Sequence, residues 1–88
     1  MSDQISQSPV DRVTTVVKRL LAERSISRAI APGDDLRDAG LTSMDMVNLV
    51  LSVESEFNLM IPETSITPAH FRSVEAISSL VRSLQQKT

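Results

Sequence analysis

The segment that decides the fold occupies residues 40–57 and reads GLTSMDMVNLVLSVESEF. It opens with a glycine, which breaks helices, and continues with Thr42 and, three residues later, Asp45, the pattern of a helix capping box. Apolar residues then recur at helical spacing up to the last residue of the segment. The pattern predicts a helix over 43–57 with Thr42 as its N-cap.

Ser43 is the residue of this segment that points to a function. The predicted boundaries place it in the first helical turn, where backbone N–H groups lack intrahelical partners and the helix dipole is positive. Because Thr42 is the predicted cap, the Ser43 hydroxyl is left to face solvent. A helix N-terminus of this kind is a good place to hold a phosphate group.

The predicted helix carries two apolar stripes separated by Glu54. The first stripe consists of Met46, Leu49, Val50, Val53 and Phe57. The second consists of Met44, Val47 and Leu51. A single core needs only the first stripe. The sequence leaves two equal alternatives for the second, which is either exposed to solvent or buried under a long neighbouring loop.

Two further long helices are predicted. The first covers about 9–24, because Ser8 can act as N-cap and Pro9 suits the first helical position. The last begins after the cap residue Ser73 and fades near Gln85. Residues 1–7 and 86–88 are expected to be flexible tails of a single domain that spans residues 1–88.

The connections between these helices contain fewer signals. Residues 25–41 read as a long loop, and its apolar anchors are Ile26, Ile30, Leu36 and Leu41. Thr67-Pro68 predicts the start of a short helical turn that ends near Phe71. The predicted fold is therefore all-α, a small four-helix bundle of three main helices plus a short third helix.

Composition excludes several classes of function. The chain has 88 residues and a net charge of −2, which provides no electrostatic footprint for nucleic acid. No apolar run approaches the roughly 18 residues of a membrane span. The N-terminus lacks the basic start and the apolar stretch of a signal peptide. We therefore expect a cytoplasmic, monomeric protein that binds no nucleic acid and has no membrane span.

The inventory of catalytic residues is equally restrictive. The sequence has no cysteine and a single histidine, His70, which is expected to be a partly exposed turn residue. Asp34, Asp35 and Asp38 lack the glycine and the distal glutamate of a calcium-binding EF-hand loop, so they are interpreted as a solvated acidic loop with no metal. The protein is expected not to be an enzyme, and any reactive group it uses is imported.

The order and spacing of several short motifs resemble the acyl carrier protein family over roughly residues 10–84. The motifs that carry the resemblance are Leu36 with Gly40-Leu41, Ser43-Met44-Asp45, Val47-x-Leu49-Val50, Glu54-x-Glu56-Phe57, Ile61-Pro62 and Phe71-x-Ser73-Val74. Two features depart from the family pattern. Thr42-Ser43-Met44 replaces the usual Asp-Ser-Leu, and Asn48 and Ser55 occupy positions that are commonly acidic in housekeeping fatty-acid carriers.

The resemblance implies a covalent shuttle of acyl-carrier type. A phosphopantetheinyl transferase would use coenzyme A and Mg²⁺ to attach 4′-phosphopantetheine to Ser43. The terminal thiol of this arm would then hold an acyl, aminoacyl or peptidyl group as a thioester. The protein would thus be a substrate of partner enzymes and would serve fatty-acid, polyketide or another specialised biosynthesis.

The resemblance also implies where partners bind. Transferases and acyl- or aminoacyl-loading enzymes would recognise the start of the helix predicted over 43–57, through carboxylates that steer basic surfaces and through apolar contacts. The expected recognition residues are Thr42, Met44, Asp45, Val47, Leu51, Glu54 and Glu56. One alternative is a free-standing aminoacyl or peptidyl carrier protein. Another is a helical interaction module without a cofactor.

Overall fold

Helices account for the regular structure of this computed structural model, which describes residues 8–86 and has no strand within that range. The α-helices are α1 (Pro9–Glu23), α2 (Leu36–Ala39), α3 (Ser43–Phe57) and α4 (Val74–Gln86), and a 3₁₀ helix (Glu63–Ser65) lies between α3 and α4. The predicted all-α, four-helix fold is confirmed. Residues 1–7 and 87–88, predicted as tails, lie outside the described part, and residue 86 belongs to α4 rather than to a tail.

The long helices begin where the sequence placed their caps. Ser8 accepts a hydrogen bond from the Asp11 N–H at the start of α1. Ser73 accepts one from the Ala76 N–H at the start of α4. These side-chain acceptors satisfy donors that have no partner within the helix, so each helix has a fixed first turn.

The core is predominantly aliphatic, with Phe57 and Phe71 as its aromatic members, and forms where α1 packs against both α3 and α4. The first apolar stripe of α3 faces this core: Leu49, Val50, Val53 and Phe57 are buried, and Met46 is partly buried. Of the predicted loop anchors, Leu36 and Leu41 are buried, while Ile26 and Ile30 pack against the core with part of their surface exposed. The predicted orientation of α3 is therefore confirmed.

The short helix α2 lies in the segment that the sequence analysis treated as loop. Asp35 caps its start by accepting from the Arg37 N–H, and Gly40 ends it at a φ of 119°. This backbone conformation favours glycine, and a Cβ at this position would also lie 2.6 Å from Ile26 Cδ1. A four-residue helix is too short to show a hydrophobic period, which is why the pattern missed it.

The short third helix predicted near 67–71 is present only as a single hydrogen-bonded turn, which does not extend into a helix. The N–H groups of His70 and Phe71 both donate to the Thr67 carbonyl, so the chain makes one hydrogen-bonded turn and stops. The Arg72 carbonyl instead accepts from the Leu36 N–H at 2.7 Å, which binds the end of this segment to α2.

Candidate functional site

The N-terminus of α3 is held by a complete capping box. The Thr42 hydroxyl accepts from the Asp45 N–H at 3.4 Å, and the Asp45 carboxylate accepts from the Thr42 N–H at 2.7 Å. The Thr42 hydroxyl in turn donates to the same carboxylate at 2.9 Å. The cap predicted from the sequence is therefore present, and the Ser43 side chain takes no part in it.

Ser43 is the first residue of α3, and it is exposed. Its hydroxyl forms no hydrogen bond to any residue of the described range 8–86. On the N-terminal side, the buried Leu41 and the left-handed turn at Gly40 fix the path by which the chain enters the helix. The Ser43 hydroxyl is thus exposed and without a hydrogen bond, and it lies in the first turn of a capped helix.

Asp45 does not lie on the surface, and the expectation that it is an exposed steering charge is wrong. Only 5% of the residue is exposed, and its carboxylate pairs with the Arg24 guanidinium at 2.8 Å. Arg24 is the C-cap residue of α1, so this ion pair joins the end of α1 to the start of α3. Nothing in the sequence spacing connects two residues that are 21 positions apart.

The environment of Asp45 lowers the pKa of its carboxyl group. The hydrogen bond from the Thr42 N–H is the main cause, and the Thr42 hydroxyl and Arg24 add to it. Desolvation acts in the opposite direction but does not outweigh these bonds. Asp45 is therefore ionised at neutral pH and acts as a structural anion at the start of α3.

We expect the lowered pKa of Asp45 to make folding stability depend on pH. The unfolded carboxyl has its usual pKa of 3.8, so between this value and the lower native pKa the unfolded chain binds more protons. The stabilising contribution is thus fully present above pH 3.8 and is lost as the pH falls through the native pKa.

Urea denaturation of the wild type and of Asp45→Asn between about pH 2.5 and 7 measures this contribution. The difference in unfolding free energy between the two proteins should shrink toward the acid end. Asp38→Asn, at an exposed position, is the matched control. A difference that stays constant over the whole range would show that Asp45 is not the group responsible.

Glu54 and Glu56 are also engaged within the protein. Glu54 accepts a hydrogen bond from the Ile61 N–H at 2.8 Å and so anchors the chain after α3. Glu56 pairs with Arg12 of α1 at 2.9 Å, and the same guanidinium lies 4.4 Å from the centre of the Phe57 ring. Both glutamates remain partly exposed. Within residues 8–86, Glu54 is the one α3 carboxylate without an ion pair.

The second apolar stripe of α3 is exposed, which decides between the two alternatives that the sequence left open. Met44 is 78% exposed, Val47 61% and Leu51 57%. These three residues, which we call the apolar face of α3, lie on the same helix as Ser43 and begin at the residue next to it. Contiguous apolar surface of this kind marks interaction sites.

A cleft of about 230 Å³ opens beside Ser43, between α3 and the segment 66–72. Apolar residues supply much of its lining, and two arginines and one aspartate complete it. The lining includes Ser43, Val47, Ile66, Asp35, Arg37 and Arg72. No sequence pattern indicates Arg37 and Arg72 as site residues, because they belong to segments that meet Ser43 only in the folded chain.

These features fit a covalently attached phosphorylated arm. The Ser43 hydroxyl is exposed and unbonded, the helix N-terminus favours an anion, and the adjoining cleft leaves room for the group next to the attachment point.

His70 is exposed in its turn, and its Nδ1 atom lies 2.9 Å from the Thr67 hydroxyl oxygen, within hydrogen-bonding distance. Within the described residues, no group of His, Asp and Glu side chains could hold a metal ion.

Asp34 and Asp35 have local structural roles in the acidic loop. Asp34 accepts from the Ala31 N–H, and Asp35 caps α2.

In the part of the chain that the structure describes, no helix is long and apolar enough to cross a membrane.

Comparison with known proteins places residues 11–81 in the family described as phosphopantetheine attachment site. Aminoacyl carrier protein 1 of Bradyrhizobium diazoefficiens is 45% identical over 71 residues, which cover 81% of this chain and 79% of the relative. Two crystal structures of Bradyrhizobium japonicum glycine:[carrier protein] ligase also contain a similar chain.

In the first of these structures the ligase is complexed with its cognate carrier protein and an analogue of glycyl adenylate. The matched chain has a TM-score of 0.72 and 43% identity, over 84% of this chain and 96% of that one. In the second the ligase is complexed with glycylated carrier protein. There the TM-score is 0.70 and the identity 44%, over 81% of this chain and 96% of that one.

Proposed function

Because this chain belongs to the family of phosphopantetheine-bearing carrier proteins, we propose that it is an aminoacyl carrier protein with its arm attached to Ser43. The family match covers most of the chain and confirms the expectation of a carrier with a covalent 4′-phosphopantetheine group. It also confirms that the protein acts as a substrate of partner enzymes rather than as an enzyme.

One observation supports Ser43 as the attachment residue. It is an exposed serine at the start of α3 whose hydroxyl is unbonded, because Thr42 and Asp45 supply the cap. A transferase can therefore use the hydroxyl without breaking a bond that the helix needs. The arm supplies the thiol that carries the cargo as a thioester, while this chain presents the attachment point and the surface around it.

The choice of an aminoacyl cargo rests on the relatives. Aminoacyl carrier protein 1 is 45% identical, and the matched solved chains are carriers of a glycine ligase. These findings favour the alternative that the sequence analysis kept open over the fatty-acid or polyketide carrier that was its main interpretation. We propose an amino acid as cargo and an ATP-dependent carrier-protein ligase as loading partner. The cytoplasmic location stays a prediction.

A two-step loading assay tests this function. The apo protein is incubated with coenzyme A, Mg²⁺ and a broad-specificity phosphopantetheinyl transferase, and its intact mass is measured. The product is then incubated with ATP, glycine and the Bradyrhizobium glycine:[carrier protein] ligase, or in parallel with a malonyl-loading transferase and malonyl-coenzyme A.

Three outcomes of this assay distinguish the three functions. Gain of the arm followed by gain of glycine supports the aminoacyl carrier. Gain of the arm followed only by gain of malonate would indicate a carrier for fatty-acid or polyketide synthesis. A mass that does not change in the first step would indicate a helical module without a cofactor.

We propose that loading enzymes recognise the apolar face of α3 rather than a row of carboxylates. Asp45 is buried and Glu56 is paired with Arg12, so α3 offers little free negative charge. Met44, Val47 and Leu51, in contrast, have no partner in the core that would compete with an enzyme. Apolar contacts of this kind form the centre of protein interfaces.

We expect Met44→Ser or Leu51→Ser to weaken loading without weakening the fold. Truncation of an interface anchor costs about 1 kcal/mol or more, equivalent to a roughly fivefold rise in the KM of the carrier for its ligase. Loading should also vary little with salt, because few unpaired charges contribute to it. Steady-state glycine loading measures both effects.

Met60→Ser is the matched control for this prediction. Met60 is 84% exposed, but it lies beyond the end of α3 that is distant from Ser43. Equal KM values for Met44→Ser, Leu51→Ser and Met60→Ser would contradict recognition through the apolar face. A steep loss of loading at high salt would indicate that loading enzymes recognise the carboxylates of α3 instead of its apolar face.

A further inference from the structure

Two unpaired arginines share the cleft beside Ser43. Arg37 is the second residue of α2, and Arg72 precedes the cap of α4. The hydrogen bond from the Leu36 N–H to the Arg72 carbonyl, 2.7 Å long, holds their two segments side by side. Both residues are exposed, and neither guanidinium forms an ion pair or a hydrogen bond within residues 8–86.

These two cations differ from the arginines that stabilise the fold. Arg12, Arg24 and Arg28 each bind a carboxylate or a carbonyl of another segment. Arg37 and Arg72 have no such internal task, although both line the same cleft. They are therefore available to a ligand.

The cleft carries an excess of positive charge. Asp35 is the one carboxylate among its lining residues, and its Oδ1 atom accepts the Arg37 backbone N–H as the cap of α2. The positive end of the α3 dipole lies at Ser43, on the rim of the same cleft. A dianionic or monoanionic phosphate group is the chemistry that such a rim favours.

The cleft also has an apolar wall close to the cationic rim. Val47 of α3 and Ile66 of the segment opposite both line it, and both keep more than a third of their surface exposed. In 4′-phosphopantetheine, the phosphodiester is followed by a methylene group and then by a carbon that bears two methyl groups. The cleft thus offers both cationic and apolar side chains, the two kinds of contact that the base of the arm would need.

We propose that this cleft binds the base of the arm, with Arg37 and Arg72 holding the phosphodiester and Val47 and Ile66 contacting the two methyl groups. The proposal rests on attachment of the arm to Ser43. It assigns to the two arginines a positioning role: they fix the direction in which the arm leaves the protein, while the distal thiol stays accessible to a loading enzyme.

The ³¹P NMR spectrum of the holo protein tests this proposal without an activity assay. In the wild type, the phosphodiester resonance should move and sharpen as NaCl is raised from about 20 to 500 mM, because salt screens the guanidinium–phosphate contact. In Arg37→Gln/Arg72→Gln, the resonance should already lie at the high-salt position and should no longer respond to salt.

Two matched variants complete the experiment. Arg19→Gln removes an exposed arginine of α1 that lines neither the cleft nor its rim, and it should behave as the wild type. Arg37→Lys/Arg72→Lys keeps the charge but loses the planar fork, so it should retain a smaller salt-dependent shift. Circular dichroism verifies that all variants are folded.

Two results separate the possible failures. A phosphodiester resonance with the same position and line width in the wild type and in Arg37→Gln/Arg72→Gln at low salt would overturn the role of the cleft and leave the carrier function intact. A protein that gains no arm at Ser43, shown by an unchanged mass and the absence of the resonance, would overturn the proposed function and this inference together.

Discussion

Replacement of Ser43 by alanine is expected to abolish attachment of the arm completely while leaving the fold intact. The hydroxyl is the proposed acceptor of the phosphodiester, and alanine has no atom that can replace it. The capping box of α3 uses Thr42 and Asp45 only, so the helix keeps its first turn in the variant. The unfolding free energy should change by no more than about 0.5 kcal/mol, the usual range for an exposed position.

Intact mass after incubation with coenzyme A and a transferase measures the attachment, and urea denaturation measures the stability. Ser55→Ala is the matched control, because Ser55 is an exposed serine of the same helix. It should gain the arm as the wild type does. A Ser43→Ala protein that still gains the mass of the arm would place the attachment at another residue, and loss of its helical signal would refute Thr42 as the cap.

Replacement of Phe57 by alanine is expected to be the most destabilising of the substitutions considered. Phe57 ends the buried stripe of α3 with 9% of its surface exposed, and its ring also lies under the Arg12 guanidinium. Truncation of a buried phenylalanine costs about 3–5 kcal/mol. Since the total stability of a protein domain is about 5–15 kcal/mol, the variant should lose a large part of its stability, and it should be largely unfolded if the wild type lies at the lower end of this range.

Val47→Ala on the apolar face provides the contrast. The side chain is mostly exposed, so its truncation should cost less than about 1 kcal/mol. Chemical denaturation of both variants, together with the kinetics of loading by the ligase, separates packing from recognition. If Val47→Ala destabilised the protein as much as Phe57→Ala, the apolar face would be part of the core, and the proposed docking surface would be wrong.

The sequence predicted α3 almost completely, because its signals are local. A capping pair three residues apart and an apolar period of 3.6 both act within one or two turns of the chain. The position of Ser43 at the helix start follows from the same signals. The orientation of the core stripe follows as well, since only one face of an amphipathic helix can be buried against α1.

The features that the sequence did not predict all depend on contacts between distant segments. α2 is stabilised by its packing in the core and by the hydrogen bond from the Leu36 N–H to the Arg72 carbonyl. The burial of Asp45 requires Arg24 from α1. The cleft exists only where α2, α3 and the segment 66–72 come together. No local sequence pattern predicts these contacts between distant segments.

The internal pairing of the α3 carboxylates has a consequence for a cell that holds several carriers at once. An enzyme that selects acidic carriers through a basic surface gains little from this helix, since two of its three carboxylates are already neutralised by Arg24 and Arg12. Discrimination between carriers depends on the difference between the affinities with which an enzyme binds them. The absence of free carboxylates on one carrier can therefore contribute to specificity as much as an additional contact on another. We therefore expect the salt bridges that join α3 to α1 to weaken binding of this carrier by enzymes that select acidic carriers.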